Sequence, residues 1–200
     1  MESLKKFDEI CQKDPRQDAF VVMDAKSPGV FRKRTIEDFY RRTQRISLHE
    51  GVPPKIRSHF ETARNLIIYS WFYYPFNVTA ALCAYTSVEY ALRIKAGKLS
   101  GRPSFRRLLR KAVEKNWIRD EGFSHVKRKH DSLRAYNEGL PPDFQIPESE
   151  LAQEYCKNLT KSLPFLRNEL AHGSSMLHER GVFTVQICAD LINQLFPKPK

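Results

Sequence analysis

Apolar residues recur at steps of three and four along most of this chain, and alternate at steps of two almost nowhere. From Thr35, with Asp38 three positions on as a capping partner, Ile36, Phe39, Tyr40, Thr43 and Ile46 predict a first helix. Pro53-Pro54 opens a second, over about 54–73, and Pro75 closes it. A third runs over about Phe76–Ala96 to a C-cap at Gly97, with Val78, Leu82, Tyr85 and Leu92 on one stripe. Glu89 falls on that stripe and needs a partner, for which Arg93 one turn later is the local candidate. Ser104, Leu108, Leu109, Val113 and Trp117 outline a shorter basic helix. Residues 119–147 are polar and broken by Pro141-Pro142 and Pro147, which predicts a long loop with a helical turn or two. Leu151, Tyr155, Leu159, Leu163, Leu166 and Leu170 then mark the cleanest helix, about Glu148–Ala171, with a kink expected at Pro164. A last helix, about Glu179–Phe196, carries Val182, Val185, Ala189, Ile192 and Phe196. Before Thr35 the pattern is weak: Phe20-Val21-Val22-Met23 is its apolar knot and Pro28-Gly29 its turn. The fold class is all-α, a helical bundle over 54–200 behind a less regular extension, 1–53, to which the sequence assigns no role.

Charge changes this picture more than composition does. The chain has 200 residues, 41% hydrophobic and 12% aromatic, which suits one folded domain and excludes a disordered chain. Lys and Arg number 34 against 23 Asp and Glu, a formal charge of +11. Residues 97–137 carry 12 basic and 4 acidic side chains, so +8 of that excess lies in one stretch. It holds Arg102, Arg106, Arg107, Arg110 and Lys111, then Lys127, Arg128 and Lys129. One reading is a patch for a polyanion such as RNA; the other is a solvated helix face beside a charged loop. Asn65 to Val88 is free of charge and long enough for a bilayer, but Pro75, Asn77, Thr79 and Ser87 argue for two buried helices around a break. No membrane partner is expected. Cys11, Cys83, Cys156 and Cys188 form no C-x-x-C pair, and the last three sit in apolar segments as small core residues of a reduced, cytoplasmic protein. No secretory leader is visible at Met1-Glu2-Ser3-Leu4. His49, His59, His125 and His130 lack ligand spacing, so neither a metal nor another cofactor is expected.

The candidate chemistry lies at the end of the long helix, in Arg167-Asn168-Glu169-Leu170-Ala171-His172-Gly173. Asn168 and His172 are four apart and share a helix face; Arg167, one residue round, is long enough to swing toward it. Gly173 can end the helix in the left-handed region, leaving His172 on an exposed last turn. That places a proton carrier beside a permanent cation and an amide. A purely structural reading has Arg167 and His172 cap and pair at the helix end, with Glu169 as partner. His178, six residues further on, could reach the same cleft or be a plain loop histidine.

Arg167-Asn168-x-x-x-His172 resembles the Arg-x(4–6)-His signature of the HEPN superfamily, in the Arg-Asn-x-x-Ala-His-Gly form found in prokaryotic defence and toxin systems. Ser87-Val88-Glu89-Tyr90-Ala91-Leu92-Arg93 resembles the earlier core helix that such domains pack against the motif helix. The resemblance covers about residues 54–197. One departure is that members paired with nucleotidyltransferase antitoxins carry His-x-Tyr where this chain has His172-Gly173-Ser174. The resemblance implies a HEPN-like bundle and metal-independent endoribonuclease activity, with no cofactor. It further implies a composite site built from two copies of Arg167, Asn168 and His172 across a homodimer, in stress response, toxin–antitoxin or anti-phage defence. In that chemistry the RNA 2′-OH attacks the adjacent phosphate, a histidine moves a proton and an arginine holds the charge that builds, leaving a 2′,3′-cyclic phosphate. RNA, a second copy and an antitoxin or regulatory protein are the implied partners. The alternative within the same resemblance is a non-catalytic module that binds RNA or protein.

Overall fold

The structure, a computed structural model, describes residues 3–24, 26–97, 101, 103–147, 154–173 and 180–198. Among them the chain forms seven α-helices: α1 (Ile36–Gln44), α2 (Pro54–Tyr69), α3 (Phe76–Ala96), α4 (Phe105–Glu114), α5 (Ser124–Glu138), α6 (Tyr155–Ala171) and α7 (Gly181–Leu195). Two short strands, β1 (Val21–Met23) and β2 (Phe31–Lys33), pair antiparallel with Val22 opposite Arg32. The fold is therefore mostly α, as its periodicity predicts, with one small hairpin in the weakly patterned N-terminal stretch.

Several boundaries follow from local chemistry. Thr35 accepts from the backbone N–H of Asp38, and the Asp38 carboxylate returns to the Thr35 N–H, a reciprocal cap that starts α1. Ser104 caps α4 in the same sense, accepting from Arg107. α3 stops at Gly97, whose φ of 66° is open to glycine at no steric cost. α2 ends at Tyr69, earlier than expected, and tight turns carry the chain through Pro75 into α3. No helix among the described residues is long and apolar enough to cross a membrane.

α3 is the hub. It packs against α2 and α7 and also touches α4 and α6. Its buried face is made of Ala80, Ala81, Ala84, Ser87, Val88 and Ala91 more than of large residues. Small side chains let two neighbouring helices approach one axis closely, which no stripe of bulky residues would allow. Facing it, Ile56, Phe60 and Ile67 of α2 and Val185, Cys188 and Ile192 of α7 are fully buried. α6 lies on α4 and α3 and continues through Pro164, which is buried. The expected beginning of that helix, 148–153, lies outside the described residues, as does Glu179 before α7.

The loop expected over 119–147 is corrected: α5 fills residues 124–138. Its own buried residue is Val126, with Phe123 buried just ahead of it, so no apolar period advertises the helix. It is anchored at its start, where the Ser124 N–H and hydroxyl both donate to the Asp190 carboxylate of α7, at 2.9 and 2.8 Å.

Residues before Pro54 share the core of the bundle. Phe39, Ile46 and Val52 are buried in the same apolar cluster as α2, α3 and α7. Buried Asp14 accepts from the Tyr74 N–H at 2.9 Å while its own N–H donates to Trp71 O, so the N-terminal stretch is laced to the α2–α3 turn. Buried Gln17 donates to Ser70 O at 3.0 Å. At the other end of this stretch, the His49 N–H donates to Asn193 Oδ1 on α7.

Candidate functional site

The motif stands where the sequence puts it, at the C-terminal end of α6. Asn168 and His172 are exposed, and the His172 N–H closes the last turn on Asn168 O at 2.9 Å. Gly173 follows at φ 90°, so the chain leaves the helix in a conformation that a side chain would strain. Residues 174–179, His178 among them, lie outside the described residues.

Arg167 is tied down more firmly than the motif alone indicates. Its Nη2 donates to Glu89 Oε2 on α3, and its Nη1 donates to Asn168 Oδ1 at 2.9 Å. Its guanidinium carbon lies 5.9 Å from the ring centroid of Phe105, the first residue of α4. One side chain thus joins α6 to α3 and α4, and about a quarter of it (26%) stays exposed. Glu89 is only 13% exposed and meets Arg93 through its other oxygen at 2.6 Å. Burial works against the Glu89 charge, but hydrogen bonds from Arg167 and then Arg93 outweigh it, so the carboxyl titrates below its ordinary value. Arg93 is the partner expected from sequence; Arg167, 78 residues away, is the one that sequence spacing misses. Glu169, the carboxylate next to Arg167 in sequence, is exposed, and the Arg167 ion pair goes to Glu89 instead.

Next to the motif, Phe165 and Leu166 are exposed, at 59% and 42%. They add apolar surface at the same helix end.

The cationic residues divide between two helices. Arg106, Arg107, Arg110 and Lys111 lie on α4, where with Lys115 and Glu114 they line a groove of about 670 Å³. Arg106, Arg107 and Arg110 are exposed and form no ion pair with a described residue. Lys111 and Lys95 each bring an ammonium to 5.7 Å from the Trp117 ring centroid. Because α4 begins at Phe105, beneath Arg167, its cations start next to the motif. Lys127, Arg128 and Lys129 are exposed on α5, a separate helix tied to the 120–122 turn and α7. Arg102 lies outside the described residues.

His125 and His59 serve packing. The His125 ring is wedged among Phe123, Tyr155 and Phe183, with centroids 4.6–6.2 Å apart, and burial holds its pKa below the usual value. His59 bonds Ser87 Oγ at 2.7 Å, inside the α2–α3 contact. Among the described residues no group of three or more His, Cys, Asp and Glu side chains could hold a metal ion. Cys156 and Cys188 are buried free thiols, Cys83 is half-buried and Cys11 is exposed.

No protein-family model, curated protein or solved structure matches this chain.

Proposed function

We propose that this chain is an endoribonuclease of the HEPN type, cutting RNA without a metal ion at a site composed of Arg167, Asn168 and His172 from two copies. One observation carries the reading: an exposed histidine caps α6 at its C-terminal end, and a pre-oriented arginine stands five residues before it, beside the cationic face of α4. The imidazole of His172 is open to a substrate and can move a proton to or from a ribose oxygen. Arg167 is fixed by Glu89 and Asn168 before any substrate arrives, so it needs little reorganisation to meet charge developing on a phosphate. The free cations of α4 supply the field that gathers RNA toward that end. Phe165 and Leu166 supply apolar surface beside the motif for a second copy, which would bring two arginines and two histidines to one phosphodiester. An antitoxin or regulatory protein that covers this face would silence it, and RNA as substrate fits work in the cytoplasm.

The second reading is a module that binds RNA through α4 without cutting it. Its support is that Glu89 already engages both Arg93 and Arg167, a complete ionic arrangement in the absence of substrate. End-labelled RNA incubated with the purified chain in EDTA separates the two. Cleavage leaving 2′,3′-cyclic phosphate ends is expected; RNA retained intact in a protein complex overturns the nuclease and leaves the binder.

A further inference from the structure

A cleft of about 280 Å³ opens between the N-terminal hairpin, α1 and the start of α7, and no motif residue lines it. Three arginines do: Arg34, Arg42 and Arg180. Phe20 and Phe183 form aromatic walls, and Asp38 is the one carboxylate among its described lining. That carboxylate is already satisfied. Arg32 meets both its oxygens, at 2.6 and 2.8 Å, and the Thr35 cap takes the rest of its capacity. Asp38 therefore does little to neutralise Arg42 and Arg180.

Arg34 is held in advance of any ligand. Its Nη2 donates to Gln17 Oε1, and its guanidinium carbon lies 4.3 Å from the Phe20 centroid and 4.7 Å from that of Phe39. Arg42, in the last turn of α1, and Arg180, at the N-cap of α7, are both exposed, and neither pairs with a described carboxylate. Like charges gathered around one concave site repel until an anion lies between them. Guanidinium forks match the oxygens of a phosphate in pairs, with better geometry than a point charge offers. Phe183 remains 40% exposed in the first turn of α7, an aromatic surface that the core leaves uncovered. The volume is at the small end for ligand sites, suited to one compact molecule and not to a length of nucleic acid.

We propose that this cleft binds a phosphomonoester carried on a planar aromatic body, of the nucleoside monophosphate class. The phosphate lies between Arg42 and Arg180 with Arg34 behind it, and the ring rests against Phe183 and Phe20. Such a group reaches the protein either as a free nucleotide or as the 5′-terminal nucleotide of an RNA. The site gives the N-terminal stretch a role separate from the motif. Arg180 follows His172 by eight positions, so the two sites share one connecting segment.

Calorimetric titration of the full chain with adenosine 5′-monophosphate tests this. Saturable binding is expected, with adenosine and inorganic phosphate each at least about tenfold weaker. Arg42→Gln and Arg180→Gln should each weaken the nucleotide about tenfold, at unchanged Tm, by removing one charge-assisted fork. A 5′-phosphorylated oligonucleotide that outcompetes its 5′-hydroxyl twin assigns the RNA end as the source; equal competition assigns the free nucleotide. Absence of binding at millimolar nucleotide overturns the proposal, as does an affinity that ignores R42Q and R180Q together or adenosine binding as tightly as its phosphate. His172→Ala should leave nucleotide affinity intact. A chain that cuts RNA yet binds no nucleotide refutes the cleft alone.

Discussion

Arg167 has the length to satisfy two demands that a shorter cation could not. It reaches Glu89 across the α3–α6 contact and still bonds Asn168 on its own helix. The half-buried Glu89 is the fixed point of this arrangement, and its titration has a definite sign. Its folded pKa lies below the unfolded value, so the unfolded chain binds the extra proton first as pH falls. Its stabilising contribution is complete above the ordinary carboxyl value of 4.5 and disappears as pH drops through the lowered one. Tm should therefore fall as pH drops below about 4.5 in the parent, and Glu89→Gln should flatten that part of the curve while lowering Tm at pH 7. A parallel pH profile for the two proteins would mean that the pair contributes nothing to folding. His172 should behave in the opposite way. It is exposed, so His172→Ala is expected to leave Tm within about 1 °C and to abolish RNA cleavage. Under the proposed function, Arg167→Ala should cost at least about a hundredfold in rate, because the charge proposed to meet the phosphate is lost. Unlike the histidine variant it should also lower Tm, since Glu89 then keeps only Arg93.

At the scale of the helix, α4 presents its charge outward and its apolar residues inward with little ambiguity. Phe105, Leu108, Leu109 and Ala112 are buried, whereas Arg106, Arg107 and Arg110 are exposed. Replacing those three arginines with Glu should weaken RNA binding and flatten its dependence on salt, while cleavage of bound RNA stays as in the parent. Binding isotherms at several salt concentrations check this, since the slope counts the phosphates neutralised. An unchanged slope would reduce the α4 patch to a solvated face. Helices of this amphipathic kind were legible in the sequence, as were α1 from its Thr35–Asp38 cap and α3 from Pro75 and Gly97. α5 was not, because a helix with one buried residue of its own has no apolar period to read. The buried face of α3 was legible only in part: the sequence stripe counts Val78 and Leu82, which are half-buried, and passes over the alanines that face α2 and α7. For the candidate site, local spacing placed Arg167, Asn168 and His172 at one helix end but did not show the carboxylate that holds the arginine. The Glu89–Arg167 contact depends on how α3 and α6 pack, and nothing in either segment encodes that register by itself.

Across the whole molecule, the motif sits at one helix end, with α3 and α4 behind it and exposed apolar residues beside it. The core that supports it runs without a break from Phe39 and Val52 through α3 to α7. A single copy offers one histidine and one arginine, and the arginine is partly committed to Glu89. Under the proposed function a second copy, seated over Phe165 and Leu166, completes the cleft about a two-fold axis. Sedimentation at micromolar concentration should then report a dimer, and Phe165→Glu should yield a monomer without nuclease activity but with normal Tm. The sharper measurement mixes two inactive proteins. A heterodimer of His172→Ala with Arg167→Ala subunits holds one intact histidine and one intact arginine in the shared cleft, on opposite chains. Each variant homodimer lacks one of the two groups altogether. If the cleft works as one unit, subunit exchange between the two variants should restore cleavage to a measurable fraction of the parent rate, in proportion to the heterodimer formed. If each chain instead carries a complete site of its own, every subunit in the mixture is still missing a group, and exchange should restore nothing.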